Sequence, residues 1–153
     1  MFGALDRRVV DIAEVGNVAS EATHGYAGND VIAGVANGKP YRQARGWMRY
    51  ALTTFDDTEV TLALTFVATD SVSRSYEIAV EDSVIATRTF VAQPNTSTSV
   101  VQITVPFAVT KGKTNIAIIV RARGGATPAL RELRTIQDHN EVEQSMSPSG
   151  VTR

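Results

Sequence analysis

Residues 60–68 read VTLALTFVA. Val60, Leu62, Leu64 and Phe66 recur with a period of two and are separated by Thr61, Ala63 and Thr65, the signature of a strand buried on one face. Neighbouring stretches repeat it. SYEIAV (75–80) sets Tyr76, Ile78 and Val80 on one side, EDS (81–83) supplies turn chemistry, and VIATRTF (84–90) begins a return, so 74–90 reads as a hairpin. In VVQITVPF (100–107), Val101, Ile103 and Val105 alternate with Gln102 and Thr104 until Pro106, which has no N–H for the ladder, ends the strand. TKGK (110–113) makes a turn. In TNIAIIVRAR (114–123), Ile116, Ile118 and Val120 share a face while Ala117 and Ile119 make the other apolar too, as in a central strand. TPALRELRTI (127–136) admits a short helix with Thr127 as N-cap and Pro128 at the first helical position; a sheet lacking a closing partner favours a final strand instead. Short strands at this spacing predict an all-β domain, a β-sandwich of jelly-roll type.

The organisation around that core is simple. At 153 residues the chain has room for one domain with a single core. Residues 1–37, rich in Gly, Ala, Asn and Asp, read as a largely irregular lead-in wrapping the core, with one short strand around Val9 to Ile12; 38–136 form the sandwich, and 137–153 a polar tail.

Composition narrows the function classes. With 43% apolar and 20% charged residues and a net charge of -1, the chain has the balance of an ordinary soluble domain. Its twelve arginines and three lysines are dispersed and offset by acids, which argues against a nucleic-acid partner. The absence of cysteine removes disulfides, thiolate zinc sites and a cysteine nucleophile. The longest aliphatic run, IAIIV (116–120), is far short of the roughly 20 residues that span a bilayer, so no membrane partner is expected. MFGALDRRVV places its charges after a very short apolar stretch, the reverse of a signal peptide. Localisation stays open between a cytoplasmic protein and a piece of a larger exported chain.

Candidate binding residues concentrate around GKPYRQARGWMRYAL (38–52). Aromatic rings stack on the C–H faces of sugars, which makes Tyr26, Tyr41, Trp47 and Tyr50 the first candidates. Strand alternation puts Trp47, Arg49 and Ala51 on one face and Met48, Tyr50 and Leu52 on the other, so one ring packs and the other is available. Arg42, Arg45, Asp70 and Arg74 form a second group, since a guanidinium fork spans adjacent hydroxyls. The plain alternative for the last two is an Asp70–Arg74 ion pair bracing the turn TDSVSR (69–74).

No cofactor is expected, and metal signals are weak. Asn29 and Asp30, or Asp56 and Asp57, offer oxygen ligands for a structural calcium, without a spaced Asp-x-Asp-x-Asp loop. DHNEVE (138–143) offers His139 and carboxylates to a transition metal but reads as a solvated tail. A catalytic role lacks any nucleophile elbow, His-Glu-x-x-His or phosphate loop, and an esterase-like site would need His24 or His139 to converge with a serine and an acid.

Several of these motifs, taken in order, carry a family resemblance. Tyr41–Arg42, Gly46–Trp47, Asp70 with Arg74, the turn Glu81 to Ser83, Ile85 to Thr87 and Lys111 to Lys113 resemble the C-terminal β-sandwich domain attached to β-L-arabinofuranosidase-type glycoside hydrolases, over about residues 9–136. The layout is more distantly similar to carbohydrate-binding jelly rolls of the galactose-binding type. Ser83 stands where that family has a turn glycine, Met48 where it has a second aromatic, and its tyrosine-tryptophan element near 66–68 is missing. The resemblance implies a noncatalytic accessory module whose partners are carbohydrate, arabinose-containing glycans above all, and a catalytic glycoside hydrolase domain in the parent chain. Its competitor is a purely structural domain that packs on that catalytic domain or self-associates.

Overall fold

The structure, a computed structural model, describes residues 6–91 and 98–139. Nine strands and two short helices follow in the order β1 (Asp6–Glu14), α1 (Val18–Thr23), β2 (Ala27–Ala36), β3 (Lys39–Thr53), β4 (Val60–Val67), β5 (Arg74–Val80), β6 (Ser83–Phe90), β7 (Thr98–Val105), α2 (Phe107–Thr110), β8 (Asn115–Ala122) and β9 (Ala129–His139). All pairings are antiparallel along the path β6-β5-β8-β3-β9-β4-β7, with β1 on β9 and β2 on β3. The link from β3 to β9 is a single register pair, Arg42↔Leu130. There the path folds over, setting β2-β3-β8-β5-β6 against β1-β9-β4-β7. Phe66 of β4 meets Tyr76 of β5 at 4.9 Å and Phe90 of β6 at 5.9 Å between ring centroids, contacts between strands that do not pair.

Alternation filled this core as expected. Val60, Leu62, Leu64 and Phe66, then Tyr76, Ile78 and Val80, then Ile116, Ile118 and Val120 are all buried in one cluster. β8 lies between β3 and β5, in the interior of its layer. Burial pushes the Tyr76 hydroxyl up to about 12. The hairpin 74–90 turns at Glu81 and Asp82, both at positive φ (51° and 69°), the geometry of a two-residue primed turn. TPALRELRTI resolves as strand: the Thr127 hydroxyl accepts from the Ala44 N–H at 3.1 Å instead of capping a helix.

The expected lead-in and tail are corrected. The short strand expected around Val9 to Ile12 is there as the longer β1, but residues 6–36 also hold a helix and a second strand where irregular chain was expected. In β1 a register shift between Val9 and Asp11 breaks the period of two. β2 is an edge strand in which Ala36 alone is buried, so backbone pairing to β3, and no hydrophobic alternation, makes it a strand. At the other end β9 runs on to His139, and Gln137, assigned to the tail, is buried with its amide bonded to Phe55 and Thr58. The remainder of the tail, 140–153, lies outside the described residues.

Candidate functional site

Seven of the eight candidate residues fall in three places, and Arg45 stands apart. Tyr26, Arg42 and Tyr50 come together around a residue that the sequence reading missed, Glu21 of α1. Arg42 donates from Nε and Nη2 to the two Glu21 oxygens, each at 2.8 Å; the Tyr50 hydroxyl adds a bond of 2.7 Å and the Gly16 N–H one of 2.8 Å. The Arg42 guanidinium also sits 4.5 Å over the Tyr26 ring, which packs against Tyr50 at 5.0 Å. Burial alone would raise the Glu21 carboxyl, but the bonds from Arg42, Gly16 and Tyr50 outweigh it and hold it low. Burial first, then the bond to Glu21, drives the Tyr50 hydroxyl upward, and Arg42 is raised by its own bonds to Glu21. Tyr50 is therefore no ligand platform: it shares the inward face with Met48 and Leu52, and all three are fully buried. The cluster ties α1 and the chain before it onto β3.

Tyr41, Asp70 and Arg74 lie at the end of the sandwich where β4 passes to β5. Tyr41 is half-buried against Ala36, Val67 and Ala129, its ring so close over Gly34 that a Cβ there would meet it at 2.4 Å. Arg74 donates to Asp70 at 2.7 Å, while the other Asp70 oxygen accepts from the Val72 N–H at 3.0 Å. These bonds hold the Asp70 carboxyl below the usual range, the Val72 N–H contributing most. This is the turn brace set against ligand binding above. Arg45 is exposed beside the β2 bulge.

Trp47 stands elsewhere, on the outer face of the five-stranded layer. Its neighbours Met48 and Ala44 face the core, so period two turns it outward, and it is half-exposed. Register sets a transverse row across that face: Asn29 of β2 opposite Trp47, Trp47 opposite Arg121 of β8, Arg121 opposite Glu77 of β5, and Glu77 opposite Thr87 of β6. Arg121 and Arg123 both pair with Glu77, the latter at 3.2 Å. An indole thus sits beside a guanidinium that pairs with a carboxylate one strand further on, giving an apolar stacking face with hydrogen-bond donors and acceptors alongside.

Among the described residues no three His, Asp or Glu side chains gather to hold a metal; Asn29 and Asp30 sit at the β2 bulge, Asp56 and Asp57 on the loop between β3 and β4, and the side chain of His139 lies outside those described. His24 does converge with Ser20 and Asp11. However, its Nδ1 faces the Ser20 carbonyl oxygen at 2.7 Å and its Nε2 faces Asp11 at 3.0 Å, both pure acceptors. The Ser20 hydroxyl meanwhile accepts from the Glu14 N–H at 2.9 Å. The Ser20 hydroxyl also lies 3.3 Å from the same Nδ1, and the trio braces β1 against α1.

Comparison with known proteins follows from this layout. The sequence profile of DUF6805, a family of unknown function, matches residues 4–136. The chain belongs to this family. No functionally curated protein matches it. Among solved structures, a family 35 carbohydrate-binding module from an environmental isolate superposes on this DUF6805 domain with a TM-score of 0.65 at 17% identity, covering 81% of this chain and 90% of that one. The exo-β-1,3-galactanase from Phanerochaete chrysosporium, in complex with β-1,3-galactotriose, gives a TM-score of 0.63 at 10% identity and covers 84% of this chain but 29% of the enzyme. A family 36 carbohydrate-binding domain of a multidomain xylanase, from the hindgut metagenome of Trinervitermes trinervoides, gives 0.55 at 12% identity, over 85% and 96% of the two chains. At such identities the likeness establishes the fold, the jelly-roll β-sandwich.

Proposed function

We propose that this DUF6805 domain is a noncatalytic carbohydrate-binding module that holds a plant-polysaccharide-degrading glycoside hydrolase, carried in the same parent chain, on arabinose-containing glycans. The observation that carries the reading is the row Asn29, Trp47, Arg121 and Glu77 on an open sheet face, which pairs a stacking surface with forked polar groups. Support comes from the fold, shared with carbohydrate-binding modules and with part of a galactanase, and from the motif order that resembles arabinofuranosidase accessory domains.

The test is a calorimetric titration of the chain with arabinan, arabinogalactan, xylan and pectic oligosaccharides, repeated with Trp47→Ala after its fold is verified by circular dichroism. Saturable binding that the folded variant loses by about tenfold or more, roughly 1.4 kcal/mol, supports the reading; unchanged binding in the variant, or none to any glycan, overturns it. A structural role against the catalytic domain or a second copy draws on a different surface, the β2 edge, where Ile32 is 59% and Val35 70% exposed. Concentration-dependent sedimentation abolished by Ile32→Lys would favour that role.

A further inference from the structure

The outer side of the other layer carries a groove of about 650 Å³, within the range of roughly 300–1,000 Å³ usual for small-molecule sites. It runs from the turn between β1 and α1, past the start of β3, onto β9, β4 and β7. Glu14 and Glu132 face each other in register there, and Glu132 is neutralised by Arg134 at 2.6 Å. Glu14 and Lys39 are exposed and enter no ion pair among the described residues. Arg131 is half-buried; Nη2 donates to the Ala36 carbonyl at 2.7 Å, while among the described residues its buried Nε has no partner and no carboxylate lies within ion-pair distance. Two cations and one carboxylate therefore remain uncommitted, beside the hydroxyls of Thr65 and Thr98.

A half-buried guanidinium without a counter-ion is a costly arrangement that an incoming anion relieves by charge, with Nη1 left to donate and Lys39 lining the same groove. Glu14 would repel a bare anion but accepts hydrogen bonds from hydroxyl groups, as the two threonines also do. A neutral sugar would match the hydroxyl partners and leave Arg131 uncompensated. We propose that this groove binds a hydroxyl-rich ligand carrying one carboxylate, an acidic sugar residue. The site is independent of the Trp47 platform, which lies on the opposite layer.

Amide chemical shifts of the ¹⁵N-labelled chain, titrated in parallel with D-galacturonate, D-galactose and acetate, test this. Galacturonate alone should shift Glu14, Lys39, Arg131 and Glu132 saturably; Lys39→Gln, an exposed change that touches no structural bond, should weaken it about three- to tenfold, and Arg131→Lys should weaken it further. Equal shifts with acetate would reduce the groove to an anion site, and equal shifts with galactose to a neutral-sugar site; either overturns the proposal. So would no shift at all, or no loss in the Lys39 variant. Shifts confined to Trp47 and Arg121 would overturn the groove while leaving the platform standing.

Discussion

Arg42 grips Glu21 through both carboxylate oxygens, each at 2.8 Å, and so fastens α1 to the strand that joins the two layers. Glu21 is nearly buried, and its Oε2 accepts from Arg42, Tyr50 and Gly16 together. Removing the carboxylate strands four donor groups from three residues at once. Glu21→Ala should therefore destabilise the domain by about 3 kcal/mol, the cost of leaving a partly buried charge without its partner. Arg42→Lys should cost less, since one hydrogen bond and a charge survive while the fork over Tyr26 is lost. Urea unfolding of the two variants checks the order.

The same carboxylates set the response to acid. Burial raises the Asp11 carboxyl, yet bonds from the Thr53 N–H and His24 hold it below its ordinary value, as Glu21 is held. A carboxyl whose folded pKa is depressed binds protons more readily unfolded, so its contribution is complete above the unfolded value of about 4 and is lost as pH falls through the folded one. The urea midpoint should hold steady from pH 7 to about 5 and drop below about 4. Glu21→Gln, already lacking one of these carboxylates, should show a shallower drop.

Gly46 explains why the β2 bulge can sit beside Trp47. A Cβ at this position would lie 2.6 Å from the Asn29 carbonyl oxygen, a backbone atom with little freedom to retreat. The bulge passes Asp30, at φ 55°, between Asn29 opposite Trp47 and Val31 opposite Ala44. Gly46→Ala should destabilise by about 1–3 kcal/mol, the range for an added methyl in a packed site, and hydrogen exchange should quicken at 29–31 while the β8 amides stay protected.

At the hairpin turn the strain is local. Asp82 adopts φ 69° without the freedom of glycine. Asp82→Gly should relieve a left-handed conformation that costs an L residue about 1–2 kcal/mol, offset by the greater unfolded-state freedom of glycine, for a net gain of about 0.5–1 kcal/mol. A rise in melting temperature with unchanged binding is the expected result.

What the sequence revealed followed from period and range. β4, β5 and β8 were legible because one face of each is buried, and the period of two correctly separated Trp47 from Tyr50. It did not say which of them turns inward; Tyr50 does because it shares a face with Met48 and Leu52. β2 was invisible because an exposed edge has no pattern to read. Glu21 was missed because its partners lie 21 and 29 residues downstream, and the pairing of Glu77 with Arg121 spans 44 residues, beyond any local motif.

That long-range row offers the sharpest separation of binding from stability. Arg121 is 43% exposed and Arg123 53%, and the largely buried Glu77 keeps one of these two partners when the other is removed, so losing either pair alone should cost within about 1 kcal/mol. Arg121 lies directly opposite Trp47, where a sugar stacked on the indole would present its hydroxyls; Arg123 is displaced by two residues along β8 and beyond its end. Arg121→Ala should lower glycan affinity about five- to twentyfold with a melting temperature close to that of the parent chain. Arg123→Ala, which breaks the same kind of ion pair, should leave affinity nearly unchanged. Were the two variants to lose affinity equally, the row would act only as a positive field on the sheet face; a difference between them locates the sugar against Trp47.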